Sequence, residues 1–434
     1  MKKLFAILLA MMMVLSMASF AMADEPIEIT IWHSWGSGAN NEAMEELVSR
    51  FNKAYEGKIH ATAEVNGSNY ASLLSKFNQY YSSNENPTVS IIDACMSLNE
   101  TQSYGSMECL SDWAANDPDY DMGEFMPAML VFSTDVNGKV WSFPYARSTQ
   151  MMYGNMEALA EVGYDHIPAT WEEMWDVCEK WVALKGTPAY GHPIAGGYFT
   201  YYICVWGGGE YFSKDGEGAC RDLNDGWRKA LTAWREAIDK GWYFVPSQTT
   251  GNHWDEFLAG KIPFCFHSSG NLGNAITKSQ GVFTLGVAPL AGKTMEDGSV
   301  YHRVYTGGAN LMLSANKSEE EKKAGWELIK FMTSKESNIW HSLKTGYVLS
   351  HVGVEEDPAV QAAWAEQPFK KVAFEQLQWL KETHVSAHMS DVDNELVKNL
   401  EAFASSDMSV DEMLDNLTAI MEENLPNGIV ATYE

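Results

Sequence analysis

The chain has 434 residues and a formal net charge of −28, with 58 acidic side chains against 30 basic ones. So acidic a surface suits neither nucleic acid nor anionic lipid, and the length exceeds what one hydrophobic core usually serves, so two lobes are expected. Aromatics are frequent, with 16 Trp and 19 Tyr; many belong to cores, but polar-tipped rings also suit the C–H faces of sugars.

At the start, Lys2 and Lys3 precede an uncharged run from Leu4 to Val14, and Ala21-Met22-Ala23 gives a small-x-small pattern ahead of Asp24. Residues 1–23 therefore read as a secretory signal peptide, because the apolar run is short for a membrane anchor of about 20 residues. No later stretch is apolar enough to span a bilayer, and no cysteine precedes Cys95. Export to a periplasm without a lipid anchor is expected. The six cysteines (Cys95, Cys109, Cys178, Cys204, Cys220 and Cys265) stand singly in apolar surroundings, where buried thiols and disulfides fit equally well. No CxxC or HExxH spacing occurs, so neither a metal nor a cofactor is expected.

Ile27, Ile29 and Ile31 alternate with Glu28 and Thr30, the period of a strand. After the loop Gly36 to Asn40, one helical face carries Met44, Leu47, Val48, Phe51 and Tyr55. Ile59, Ala61, Ala63 and Val65 return to period two. Leu73, Leu74, Phe77 and Tyr80 form a second helical stripe, and Thr88 to Ile92 a third strand. This alternation predicts an open α/β sheet with parallel crossovers, whose ligands sit beyond the carboxyl ends of the strands. Trp32 to Gly38, Asn66 to Tyr70 and Asp93 to Ser97 fall on that rim. Further on, Thr170 with Glu173, Ser318 with Glu321 and Ser409 with Glu412 read as helix caps. Trp227, Ala230, Leu231, Trp234 and Ile238 make an amphipathic helix closed by Gly241. The glycines near Gly196, Gly207 to Gly209 and Gly307 read as loops.

Four stretches then carry a resemblance. They are Ile31-Trp32-His33-Ser34-Trp35; Trp141-Ser142-Phe143-Pro144-Tyr145 with Ser148 and Met152-Tyr153-Gly154-Asn155; Phe257-Leu258-Ala259-Gly260-Lys261-Ile262-Pro263-Phe264 with Ser268-Ser269-Gly270; and Thr306-Gly307-Gly308-Ala309-Asn310 with Trp340-His341 and Thr345-Gly346-Tyr347. In this order the chain resembles the extracellular solute-binding proteins of ABC importers, the family of the maltose-binding and glycerol-3-phosphate-binding receptors, and is nearer the latter branch. The resemblance implies a two-lobed periplasmic-binding-protein fold, each lobe an open, mostly parallel sheet flanked by helices. Residues 24–145 and 302–342 would form one lobe, and 146–301 and 343–434 the other. It further implies a monomer without catalytic activity, whose cleft closes by a hinge on a small polar ligand and delivers it to the permease subunits.

By that resemblance the ligand-facing positions are Tyr70, Ser148, Ser269, Gly307 and Tyr347, with Tyr198 and Trp206 from the aromatic run Tyr198 to Trp206. Each has a plain alternative as a core, turn or helix-start residue. Trp32 and Trp35 flank the first rim loop, one to shield ligand and the other to pack; Trp35 is the candidate. Arg147 either pairs with an anionic ligand or bridges carboxylates. The glycerol-3-phosphate branch uses an arginine from its C-terminal third, whereas the last arginine here is Arg303. Its absence favours a neutral or zwitterionic ligand, above all a mono- or oligosaccharide, over glycerol-3-phosphate or a glycerophosphodiester. The acidic rim position of that branch falls at Asp93 or Ala94; Asp93, Asp391 and Asp393 would accept sugar hydroxyls, with His384 and His388 nearby. A secreted glycoside hydrolase, needing two carboxylates across a cleft, is the rival of another class.

Overall fold

A computed structural model describes residues 25–429, apart from 99, 101–104, 136, 195, 214–216, 221–222, 246–251 and 382–387. The leader and His384 lie outside the described residues. The strands are β1 (Ile27–His33), β2 (Ile59–Val65), β3 (Val89–Asp93), β4 (Phe143–Asn155), β5 (Phe264–Ser268), β6 (Leu285–Ala288), β7 (Lys293–Thr294), β8 (Val300–Tyr301) and β9 (Thr306–Leu313). Seven form one sheet ordered β2-β1-β3-β9-β4-β5, with β6 also on β4, while β7 and β8 make a separate ribbon.

The opening follows the alternation in the sequence. β1 pairs in parallel with β2 and β3, and the helices Ala39–Ala54 and Tyr70–Tyr81 supply the crossovers. Antiparallel pairings complete the sheet: β9 lies between β3 and β4, and β5 and β6 both pair with β4. Among the described strands, β4 is the one that pairs with both arms. Its 13 residues are buried except at Gln150, which is half-buried. The segment Phe143 to Thr149 pairs with β9, and Gln150 to Asn155 pairs with β5 and β6.

A hydrophobic cluster occupies each arm. One gathers Ile31, Phe51, Val89, Leu311 and Ile329; the other gathers Trp171, Trp227, Trp234, Phe264 and Leu417. Removing one such Trp from water is worth about 4–6 kcal/mol at ~25 cal/mol per Å², which is why the aromatic-rich half packs so densely. Ser318 and Glu321 cap each other reciprocally, and Ser409 accepts the Glu412 N–H at 3.1 Å. Thr170 accepts the Glu173 N–H, but the Glu173 carboxylate reaches back to the Ala169 N–H at 2.7 Å, one residue before the expected partner.

The glycines behave less simply than their turn signal suggests. Gly307 sits inside β9, and Gly196 opens the helix Gly196–Tyr201 rather than a loop. Gly308 explains the misleading signal: its φ of +88° is left-handed, and a Cβ there would lie 2.1 Å from the Ala146 carbonyl oxygen. Of the alternatives open for the cysteines, the structure shows six free thiols, all buried except the half-exposed Cys95.

Candidate functional site

A cavity of about 650 Å³ opens where the carboxyl ends of β1 and β3 face the far half of β4 and the end of β5. The three rim segments expected from the strand pattern all reach it, through Ser34 and Trp35, Ser68 to Tyr70, and Asp93, Cys95 and Met96. Ser148, Tyr198, Gly307, Tyr347 and Asp393 line it too. Among the described lining residues there are two carboxylates and no lysine or arginine.

On the β1 side the wall is a packed aromatic group. Trp35 lies 6.4 Å from Tyr70, 6.2 Å from Tyr145 and 6.1 Å from Tyr347, measured between ring centroids. The Tyr70 and Tyr347 hydroxyls meet at 3.2 Å. Local structure aims both rings. Asn69 and Ser72 form a reciprocal capping box that starts a helix at Tyr70. Gly346, left-handed with φ +95°, ends the helix Lys335–Thr345 and turns the chain so that the Tyr347 ring lies against Gly270. Burial pushes the Tyr347 hydroxyl up to about 12, so it stays a proton donor at any physiological pH. Trp32 takes the packing role: it is 6 % exposed and donates Nε1–H to Glu64 at 2.8 Å.

Opposite stands Tyr198, near-parallel to His192 at 6.3 Å and 6.4 Å from His267. His267, Gln150, Thr149, Asn40, Asn271 and Thr306 also line the cavity and were not singled out from sequence. The β9–β4 and β4–β5 registers put Thr149 opposite Thr306 and Gln150 opposite Ser268. Short-range periodicity cannot reveal such long-range pairings.

The charges at the floor follow from burial. The Asp93 carboxylate accepts the Cys95 N–H at 2.9 Å. Desolvation raises its pKa above the usual value, opposed by that hydrogen bond and by the Arg147 charge. Arg147 is fully buried under the cavity and does not line it. It donates to Thr306 Oγ1 at 2.8 Å, and its guanidinium carbon lies 5.2 Å above the Phe132 ring. Arg303 is paired with Glu210 through both terminal nitrogens and lies outside the lining.

Several sequence candidates sit elsewhere. Trp206 belongs to a π-helical segment, Tyr202–Gly207, whose wider turn shifts the side-chain phase set by Tyr198. Its ring packs 5.2 Å from Trp171, under Lys293, rather than against the cavity. Ser269 is fully buried behind the wall, where its hydroxyl accepts the Thr149 N–H at 3.2 Å. Asp391 is exposed, and neither it nor His388 is in the lining; Asp393, two residues on, is.

A family profile described as bacterial extracellular solute-binding protein matches residues 46–368. The chain belongs to that family. This solute-binding protein is 23 % identical to the sn-glycerol-3-phosphate-binding periplasmic protein UgpB of Rhizobium meliloti (strain 1021), over 82 % of each chain. Its fold matches UgpB from Mycobacterium tuberculosis in complex with glycerophosphocholine, with TM-score 0.79 and 22 % identity over 92 % of this chain and 98 % of that one. It also matches the GacH receptor of Streptomyces glaucescens, a structure series that includes an acarbose complex, with TM-score 0.79 and 18 % identity over 95 % and 100 %. Maltose-bound MalE3 of T. maritima matches with TM-score 0.78 and 21 % identity over 92 % and 100 %. The solute-binding protein therefore has the two-lobed α/β architecture of these receptors.

Proposed function

We propose that this solute-binding protein is the exported, non-catalytic receptor of an ABC importer and that it captures a neutral carbohydrate between its lobes. The carrying observation is the lining itself: five Trp and Tyr rings (Trp35, Tyr70, Tyr198, Tyr305 and Tyr347), two carboxylates, many uncharged polar groups and, among the described residues, no lysine or arginine. Rings of Trp35, Tyr70, Tyr198 and Tyr347 suit the C–H faces of a pyranose, and Asp93 and Asp393 suit its hydroxyls. A phosphate monoester wants a bidentate cation or a helix N-terminus. The two arginines best placed by sequence are instead buried beneath the floor or paired with Glu210.

The lobes in this reading are 24–145 with 302–342, and 146–301 with 343–434, and residues 1–23 direct export. No helix among the described residues is long and apolar enough to cross a membrane. A second reading, a glycerophosphodiester with a quaternary ammonium head, is favoured by the same aromatic group beside Asp93, since such rings attract cations, and by the relatives named above.

Thermal shift and calorimetry with glucose, maltose, maltotriose, trehalose, glycerol 3-phosphate and glycerophosphocholine separate the two. Stoichiometric binding of a sugar supports the first reading, with a shift growing as RT ln(1 + [L]/Kd). Binding of glycerophosphocholine alone moves the assignment to the second. Turnover of aryl glycosides by the purified protein would overturn both.

A further inference from the structure

We infer that His267 is a specificity-determining residue of this cavity, fixed as a neutral hydrogen-bond donor that reads a lone pair on an uncharged ligand oxygen. The inference rests on the carbohydrate reading for its ligand class, but its structural basis is independent of it.

His267 lies at the end of β5 and lines the cavity. The backbone N–H of Ser268 donates to its Nδ1 at 2.9 Å. A peptide amide can only donate, so Nδ1 carries no proton and the ring's proton sits on Nε2. The Asn271 side-chain amide lies 2.8 Å from the same nitrogen and, facing a bare lone pair, presents its NH₂. Two donors on one nitrogen thus oppose both the other tautomer and the imidazolium.

The surroundings also keep the charge away. The ring packs 4.5 Å from Trp254, 5.6 Å from His253 and 6.4 Å from Tyr198, and no carboxylate pairs with it among the described residues. Burial depresses its pKa to about 3, and His253 beside it is depressed to about 2. Where an anion receptor would place a permanent cation, His267 offers a neutral N–H. A fitting ligand presents an acceptor oxygen to His267 and hydroxyl donors to Asp93. A polyol or sugar satisfies both with the same functional group, whereas a phosphate gains no charge from either.

The test uses the full mature chain with histidines labelled with nitrogen-15. Two-bond proton–nitrogen spectra of the wild type should show His267, assigned by its loss in His267→Phe, with its proton on Nε2 and no titration between pH 5 and 8. Asn271→Asp places an acceptor-only carboxylate beside Nδ1 and should raise the His267 pKa by two or more pH units, with a proton appearing on Nδ1. In calorimetry with the sugar probes named above, His267→Phe should weaken binding about tenfold or more, because a buried ligand oxygen loses its donor. His267→Gln, which keeps a donor, should recover most of that loss. A proton on Nδ1, titration near neutrality, or unchanged sugar affinity in a folded His267→Phe overturns the inference. If no sugar binds the wild type while the spectra show the fixed neutral tautomer, the carbohydrate reading fails and the tautomer lock stands.

Discussion

The side-chain oxygen of Asn274 accepts the N–H of Ala39 at 3.2 Å, so the helix Ala39–Ala54 is capped by a residue 235 positions further along the chain. Gly38, the residue in the N-cap position, has no side chain to do this. A Cβ on Gly38 would lie 2.6 Å from that Asn274 oxygen. Asn40 adds a second link, donating to the Gly270 carbonyl at 3.2 Å, and Lys344 pairs with Glu42 alongside. The arm that follows β1 is thereby tied to the arm that follows β5, next to the cavity.

Separating the two arms strips the helix of its cap, a loss of about 0.5–2 kcal/mol in comparable caps. Asn274→Ala should therefore favour the open form and weaken binding of the responding sugar probe about 2- to 20-fold. Stopped-flow fluorescence should place the change in the dissociation rate. An unaltered dissociation rate would show that this cap does not contribute to closure.

The Tyr70–Tyr347 pair calls for conservative substitutions. Tyr347 is 7 % exposed, and its ring fills the space that a Cβ on Gly270 would enter, 2.5 Å away. Tyr347→Ala empties that space and should cost about 3–5 kcal/mol of stability. Tyr347→Phe and Tyr70→Phe remove only hydroxyls. Each should leave the melting temperature within about 3 °C and weaken sugar binding about 3- to 10-fold. Full affinity in both would remove these hydroxyls from the site.

Acid should begin to destabilise the fold as pH falls below about 6.5. Burial lowers the pKa of His192 to about 4, of His253 to about 2, and of His267 and His341 to about 3. These rings stay neutral when folded but take up protons near 6.5 when unfolded. Their contribution is full above about pH 6.5 and declines as pH falls toward the folded values. The loss is up to about 1.4 kcal/mol per histidine per pH unit in that window. Urea denaturation at pH 7.5, 6.5 and 5.5 should show a flat upper interval and a falling lower one; equal stability at 6.5 and 5.5 would contradict the burial of these rings.

Adjacent glycines in β9 should separate folding from binding. Gly308→Ala forces a side chain into left-handed backbone and onto the Ala146 carbonyl, so it should destabilise by more than about 2 kcal/mol. At Gly307 a Cβ meets nothing closer than Ser148 Oγ at 3.9 Å, and the position lines the cavity. Gly307→Ala should fold normally and change sugar affinity at least threefold. Differential scanning calorimetry with and without the responding sugar reads both effects.

The parts legible in sequence are those set by neighbours in the chain. β1 to β3, their crossover helices and the rim segments follow from periods of two and 3.6. Ser318 with Glu321 follows from a spacing of three. His267, Asn271 and Gln150 escaped because a β5–β4 register and a tautomer place them, and neither leaves a short-range pattern. Trp206 was misplaced for a local reason: a π turn breaks the helical phase that the aromatic run implies. The loss of a C-terminal arginine was visible at once, yet the pairing of Arg303 with Glu210 and the burial of Arg147 required the fold.

β4 gives the receptor a torsion bar. One continuous strand serves both arms, and fully buried Gln376 holds its midpoint by bonding Thr149 and the Gln150 carbonyl, the latter at 2.8 Å, so a rotation of one arm against the other would have to twist this strand. Ser148, Thr149 and Gln150 lie where β4 passes from β9 to β5 and also line the cavity. Points near a rotation axis scarcely travel, whereas Tyr70 and Tyr198, on walls to either side of the strand, would move with their arms. An arriving solute would thus find its landing site on β4 already assembled, and the aromatic walls would then fold over it like the covers of a book around its spine.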